Sequence, residues 1–259
     1  MILKERQNRI VTTLRSGGAA SVSELAVALK VSESTIRRDL DLLDRNGELT
    51  RTYGGAILRP GETVSDAGGT RQVEGDFQDN IDIELKQAIA VRAAALVKDD
   101  SVVILDIGTT TPFIARELRG RPVTVITSNL AVLDELRDDV AVRLVMLGGV
   151  LRRNYRSFVG SLTQLALTQV SADIVFLSCT GVRPSGTVVD NMAVEAPIKQ
   201  SMIEAADRVV LVAAETKFPG TGALRLCSLS DVDVVITTAG ASGETLKLCR
   251  EAGGEVIIA

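Results

Sequence analysis

The apolar positions of this 259-residue chain change their period along its length. In the first fifty residues they recur every three or four. Ile10, Val11 and Leu14 fall between Lys4 and Arg15, Leu25, Ala26 and Leu29 follow Ser21, and Ile36, Leu40 and Leu43 follow Ser32. That spacing predicts three short amphipathic helices. Gly17-Gly18 stops the first, Ser21 and Glu24 stand at capping-box spacing for the second, and Ser32 caps the third, which stops at Asn46-Gly47. Residues 49–53 and 56–59, either side of Gly54-Gly55, predict a two-stranded wing.

Residues 60–80 lose the periodicity. Pro60, Gly61, Gly68, Gly69 and Gly75 stand among acids, the composition of a linker. A helix over 81–98 and a strand over 101–106 come next. Short β-branched runs follow at 123–127, 142–147, 174–177, 209–213, 234–237 and 256–258, with helical stretches near 111–119, 129–137, 192–206 and 242–252. Buried strands alternating with helices predict an α/β fold built on a mostly parallel sheet covered on both faces. The expected division is a head at 1–59, a linker at 60–80 and an α/β domain at 81–259.

Composition narrows the chemistry. The chain has no histidine, which removes Ser-His-Asp triads and most catalytic zinc sites. Cys179, Cys227 and Cys249 form no CxxC pair, so free thiols in a reducing cytoplasm are expected and a metal site is not. No apolar run approaches the roughly 20 residues that span a bilayer, and the charged start Met1-Ile2-Leu3-Lys4-Glu5-Arg6 is unlike a secretory signal. Residues 1–59 carry ten Lys and Arg against seven Asp and Glu, a net +3, while the remainder carries 19 against 26, a net −7. A basic head on an acidic body suits a partner with a phosphate backbone.

The third helix sharpens that expectation. With Ile36, Leu40 and Leu43 on its inner face, Ser34, Arg38, Asp41 and Arg45 fall roughly opposite, and Thr35 and Arg37 lie on the flanks. Leu25 and Leu29 can pack on the inner face across a short turn, the arrangement of a helix-turn-helix whose second helix enters a DNA groove. Ser34, Thr35, Arg37, Arg38 and Arg45 are the candidate contacts on that helix. Arg51 and Arg59 on the wing suit backbone or minor-groove contacts. Taken alone, Arg37-Arg38 reads equally as a solvated face.

In parallel sheets ligands gather at the carboxyl ends of the strands. Asp106-Ile107-Gly108-Thr109-Thr110-Thr111 sits at such an end and opens a helix, where backbone N–H groups and hydroxyls can meet an anion. Thr127-Ser128-Asn129, Gly148-Gly149, Gly181 and Lys217 stand at other strand ends and can converge on the same crevice. Bland readings stay open beside these. Lys217 can be solvated, Asp106 can cap or order its loop, and Glu195 can simply favour a helix start. Cys179 reads as a small buried residue, and Arg152 and Arg153 as surface charges.

The segment VSESTIRRDLDLLDRNGELTRTYGGA, residues 31–56, strongly resembles the DNA-binding head of the DeoR family of bacterial transcriptional regulators. The likeness continues in order through LKQAIAVRAAALV, ILDIGTTT, VITSN, LGGVLRRN, FVG and ETKF, covering nearly the whole chain outside the linker. It implies a winged helix-turn-helix followed by a Rossmann-like sensor domain resembling ribose-5-phosphate isomerase and CoA-transferase folds. It further implies a phosphorylated sugar or related metabolite as effector. On the family's pattern Gly108, Thr109, Thr110, Thr111 and Lys217 hold phosphate, while Asp106, Ser128, Asn129 and Glu195 contact ligand hydroxyls or order loops.

Departures from the family are local. Tyr53 stands where a histidine is usual, and Ala214-Glu215-Thr216-Lys217 where Asp-Ser-Ser-Lys is common. Phe176-Leu177-Ser178-Cys179-Thr180-Gly181 replaces an F-L-G-x-x-G pattern. The expected protein is a cytoplasmic homo-oligomeric repressor, dimer or tetramer, of a carbohydrate operon. Its partners are double-stranded operator DNA and a small effector, with no catalytic residue, cofactor, metal or membrane. The alternative is a sugar-phosphate isomerase using Asp106 or Glu195 as base and Lys217 as electrophile.

Overall fold

The computed structural model describes residues 6–7, 9–11, 13–14, 19–45, 49–52, 54–58 and 82–259. The chain divides into two compact units, Met1–Val73 and Glu74–Ala259. Among the described residues, no helix is long and apolar enough to cross a membrane.

In the first unit, the described residues between 6 and 14 are helical and bury Ile10 and Leu14. Strand β1 (Ala19–Ser21) leads into helix α1 (Val22–Leu29), and helix α2 (Glu33–Arg45) follows. Both expected caps form. The Ser21 hydroxyl accepts from the Glu24 amide while the Glu24 carboxylate accepts from the Ser21 amide. The Ser32 hydroxyl accepts from the Thr35 amide at 3.3 Å. Val22, Leu25 and Leu29 from α1 meet Ile36, Leu40 and Leu43 from α2 in one core with Ile10, Leu14 and Leu49.

The wing has three strands where two were expected. β2 (Leu49–Thr52) and β3 (Gly55–Leu58) form the hairpin, and β1 pairs antiparallel with β3, giving the order β1-β3-β2. Gly55 permits this third pairing, because a Cβ there would lie 2.3 Å from the Ala20 carbonyl oxygen. A three-residue Ala-Ala-Ser strand has no alternation for a sequence to reveal. The third-helix end at Asn46-Gly47, Tyr53, Arg59 and the 60–80 linker lie outside the described residues.

The second unit begins with α3 (Ile83–Ala94) and alternates β4 (Val102–Leu105), α4 (Thr111–Glu117), β5 (Thr124–Thr127), α5 (Leu130–Leu136) and β6 (Arg143–Met146). A hairpin of β7 (Val150–Arg152) and β8 (Ser157–Val159) comes next, then α6 (Ser161–Leu167) and β9 (Ile174–Leu177). β10 (Gly181–Val182), β11 (Thr187–Asp190), α7 (Ala196–Glu204), β12 (Val209–Val212), β13 (Leu224–Ser228), β14 (Val234–Thr237), α8 (Gly243–Glu251) and β15 (Glu255–Ile258) complete it. Seven strands form one parallel sheet in the order β15-β14-β12-β9-β4-β5-β6, while β10, β11 and β13 make a small antiparallel sheet.

Alternation along each strand feeds two cores. Val103, Leu105, Phe176, Val210 and Ile236 face α3, α4 and α5 through Ile89, Ala93, Ile114, Val132 and Leu136. Ile104, Val175, Leu177, Leu211 and Val235 join the other layer with Ala196, Ile198, Met202, Leu246 and Cys249. A strand buried on both faces has no polar side, which explains the unbroken β-branched runs. The strand order runs outward in opposite directions from the β4–β9 pair. Such a reversal leaves a crevice at the carboxyl ends of the two central strands.

Candidate nucleic-acid interface and strand-end site

Helix α2 seals its apolar seam and turns its polar face out. Ser34, Arg37 and Arg38 are exposed and Thr35 is half-buried. The Ser32, Ser34 and Thr35 hydroxyls lie together, with Ser32 Oγ 2.9 Å from each of the other two. Arg37 Nη2 lies 2.6 Å from Glu33 Oε2, an exposed i, i+4 pair worth only about 0.2–0.5 kcal/mol and therefore readily exchanged for a phosphate. Arg38 has no ion-pair partner among the described residues. Arg45 ends α2.

Two further arginines serve the scaffold. Arg6 Nε sits 2.5 Å from the buried Asp39 carboxylate and ties the N-terminal helical segment to α2. The Arg51 guanidinium donates to Asp41 and ties β2 to the same helix. Asp41 was expected on the reading face; the pairing turns part of that face toward the wing.

At the strand reversal, Asp106 follows β4 and Ser178 follows β9. The Asp106 carboxylate is fully buried and accepts four bonds, from the Ile107 amide at 2.5 Å, the Ser178 amide at 2.9 Å, the Ser178 hydroxyl at 2.6 Å and Lys199 Nζ at 2.8 Å. Of the two readings held open for Asp106, these bonds match loop ordering. Gly108 is required here, since a Cβ would lie 2.2 Å from Ser178 Oγ. The Thr111 hydroxyl donates within the loop to the Asp106 and Gly108 carbonyls, at 2.7 and 2.9 Å.

Asn129 ties the loop to the neighbouring strand. Its amide nitrogen donates to the Asp106 and Gly108 carbonyls at 3.3 and 3.1 Å, and its oxygen accepts from the Ala131 amide, capping α5. The Ser128 hydroxyl is buried and has no hydrogen-bond partner among the described residues. Thr109 and Thr110, by contrast, remain partly exposed with Gly108 at the rim.

Lys199 was missed by the sequence reading. It is 3% exposed in its side chain, and its ammonium also reaches Asp190 Oδ2 at 3.1 Å and the Ser178 carbonyl at 3.0 Å. Burial opposes its charge, but Asp106, Asp190 and Glu195 overcome that and hold the pKa above the ordinary lysine value. Burial pushes the Glu195 carboxyl up to about 7, against the opposing pull of Lys199 and Arg152. Arg152 corrects an expectation. It is not a surface charge: its guanidinium is nearly buried, pairs with Glu195 and lies 4.1 Å from the Tyr155 ring centre.

The remaining strand-end candidates spread around this centre. Lys217 closes a short 3-10 turn (Glu215–Lys217) and is half-buried, near enough for its charge to act with Lys199 on Cys179. Burial nonetheless pushes the Cys179 thiol up to about 12, which leaves it unreactive. Gly181 begins β10 against the backbone of Gly220. Gly148 and Gly149 lie at the foot of the hairpin, where the Gly148 carbonyl accepts from the Thr163 hydroxyl, and among the described residues no hydrogen bond links them to the Asp106 cluster. Among the described residues, no group of His, Cys, Asp or Glu has the arrangement of a metal site.

Comparison with known proteins matches residues 6–60 to the DeoR-like helix-turn-helix domain and residues 81–239 to the DeoR C terminal sensor domain. A putative aga operon transcriptional repressor from Escherichia coli O157:H7 is 32% identical over 257 residues, covering 98% of this chain and 93% of that protein. The L-fucose operon activator of Haemophilus influenzae is 28% identical, covering 95% and 96%. Among solved structures, a ribose 5-phosphate isomerase from Methanocaldococcus jannaschii aligns at a TM-score of 0.39 and 19% identity, over 52% of this chain and 54% of its own.

Proposed function

The chain belongs to the DeoR family of DNA-binding transcriptional regulators, and on that footing we propose that it represses a carbohydrate-metabolism operon under control of a phosphorylated sugar or related metabolite. It is a regulator, not an isomerase with a helical appendage. The observation that carries the reading is the polar face of α2, where Arg38, with no ion-pair partner among the described residues, stands opposite a sealed apolar seam.

In this reading residues 1–59 read DNA, 60–80 link, and 81–259 sense the effector. Ser34, Thr35, Arg37, Arg38 and Arg45 address the major groove, with Arg51 and Arg59 on the flanking backbone or minor groove. Gly108, Thr109, Thr110 and Lys217 form the rim that takes the phosphate. Asp106, Thr111, Ser128, Asn129 and Glu195 order or line the crevice, and Gly148, Gly149 and Gly181 shape its surroundings. Paired heads in a cytoplasmic homo-oligomer, dimer or tetramer, supply the specificity one small head lacks. Effector binding shifts the equilibrium between arrangements of those heads.

Fluorescence anisotropy against fragments from upstream of the regulated genes tests the DNA reading. A fragment retained in excess random DNA is expected, and Arg38→Ala should weaken it by about 1–3 kcal/mol. Binding no stronger than to random DNA would sink the proposal. A panel of sugar phosphates should include one that raises the melting temperature, with the gain lost in Lys217→Met. Transcription with and without that compound decides between repression and activation.

A further inference from the structure

Ser178 stands where the buried charges at the strand ends meet the crevice rim. Its side chain lies against Gly108, where a Cβ would come within 2.2 Å of Ser178 Oγ, and Gly108 shares the partly exposed rim with Thr109 and Thr110. Asp106 and Lys199 are buried, whereas Ser178 is only half-buried. A serine hydroxyl has one proton to give and two lone pairs to offer. The proton goes to Asp106 Oδ2 at 2.6 Å, and Lys199 Nζ donates to the oxygen at 3.1 Å. Those two partners are themselves joined at 2.8 Å, so neither is free to turn away. A carboxylate has no proton to return and an ammonium has no lone pair, so reversing the hydroxyl breaks a charge-assisted bond. Among the described residues no other group donates to Ser178 Oγ, which leaves it a single lone pair.

We propose that Ser178 selects the effector by accepting a hydrogen bond from a hydroxyl on the carbon next to the phosphate-bearing one. On the reading that Gly108, Thr109, Thr110 and Lys217 take the phosphate, on which this depends, contact with Gly108 places Ser178 beside that part of the effector. A carbonyl or ring oxygen on the same carbon sets one acceptor against another, and neither can supply the proton. The favoured class is an open-chain polyol phosphate. Keto phosphates, and sugar phosphates whose ring closes through that carbon, are disfavoured.

Isothermal titration calorimetry on the full chain tests this with two matched pairs. At the carbon in question glycerol-3-phosphate carries a hydroxyl and dihydroxyacetone phosphate a carbonyl, while sorbitol-6-phosphate carries a hydroxyl and glucose-6-phosphate a ring oxygen. In one pair or both the wild type should bind the hydroxyl member about tenfold more tightly, and Ser178→Ala should bring the two members within about twofold. A structural role alone would weaken both members alike, so a ratio unchanged in Ser178→Ala overturns the proposal. Equal binding within both pairs, or preference for the carbonyl or ring form, overturns it as well. Where Ser178→Ala does not fold by circular dichroism, Ser178→Cys, whose sulfur is a weak acceptor, should narrow the ratio in the same direction, and an unchanged ratio counts equally against it. A wild type that binds none of the four compounds sinks the phosphorylated-effector reading and this one with it. Binding that is lost in Lys217→Met, with a ratio that ignores Ser178→Ala, sinks the role of Ser178 alone.

Discussion

Moving an ammonium group out of water costs several kcal/mol, and Lys199 tolerates it because two carboxylates and a carbonyl replace the lost hydration. Lys199→Met would leave Asp106 and Asp190 facing each other without their cation. A loss of about 3–5 kcal/mol in urea unfolding is expected; a loss below 1 kcal/mol would show that the carboxylates do not depend on it. Glu195 adds a pH dependence. Its folded pKa of about 7 lies above the ordinary 4.5, so the folded state holds this proton more tightly than the unfolded chain does. Its contribution is therefore present below about 4.5 and is lost as pH rises through 7. Thermal melts between those limits should show a downward slope that Glu195→Gln removes, and identical slopes would refute it. Sequence reading placed Asp106 and Glu195 correctly at strand and helix ends yet overlooked Lys199. A single lysine in an amphipathic helix looks solvated, and its partner Asp106 lies 93 residues away. The crowding of Asp190, Glu195 and Lys199 around one helix start was the available signal.

At the level of the element, the pairing of Asp41 with Arg51 fastens the wing to the reading helix. That contact offsets the charge Arg51 would bring to a phosphate. Asp41→Asn should leave the head folded, since α2 is held by its buried seam, and release Arg51 toward DNA. Plotted as log affinity against log salt, the variant should be steeper by about one phosphate contact. An unchanged slope would mean that Arg51 stays away from the backbone. Long periodic elements were legible: α2, α3 and the seven core strands fall where the spacing put them, with α3 ending at Ala94 rather than 98. The missed elements were β1, the β7–β8 hairpin, α6 and the β10-β11-β13 sheet. Each is short or carries no clean alternation, and long-range pairing rather than local propensity defines most of them.

Across the whole molecule, pattern alone predicted a parallel sheet with helices on both faces but not the order of its strands. That order depends on which edge each crossover returns to, and no local residue encodes it. Only once β4 and β9 are neighbours do Asp106 and Ser178 stand across one crevice, so the site's centre was as illegible as the strand order that makes it. The proposed pairing of heads belongs to this scale too, and the operator measurements address it.

The reversal at β4–β9 also sets a constraint on how the sheet is assembled. β4, β5 and β6 are consecutive in the chain, and beyond β9 the sheet takes β12, β14 and β15 in chain order with β13 diverted to the small sheet; neighbouring strands within each group lie some twenty residues apart, as Thr127 with Leu105 and Val209 with Asp233 illustrate at separations of 22 and 24. The central join, seen between Val102 and Asp173, spans 71. Closing that longer loop costs about 1 kcal/mol more in chain entropy. During synthesis β4 therefore waits with one edge bare until β9 has emerged, and the apolar heart of the sheet is the last neighbour relation its first half can satisfy.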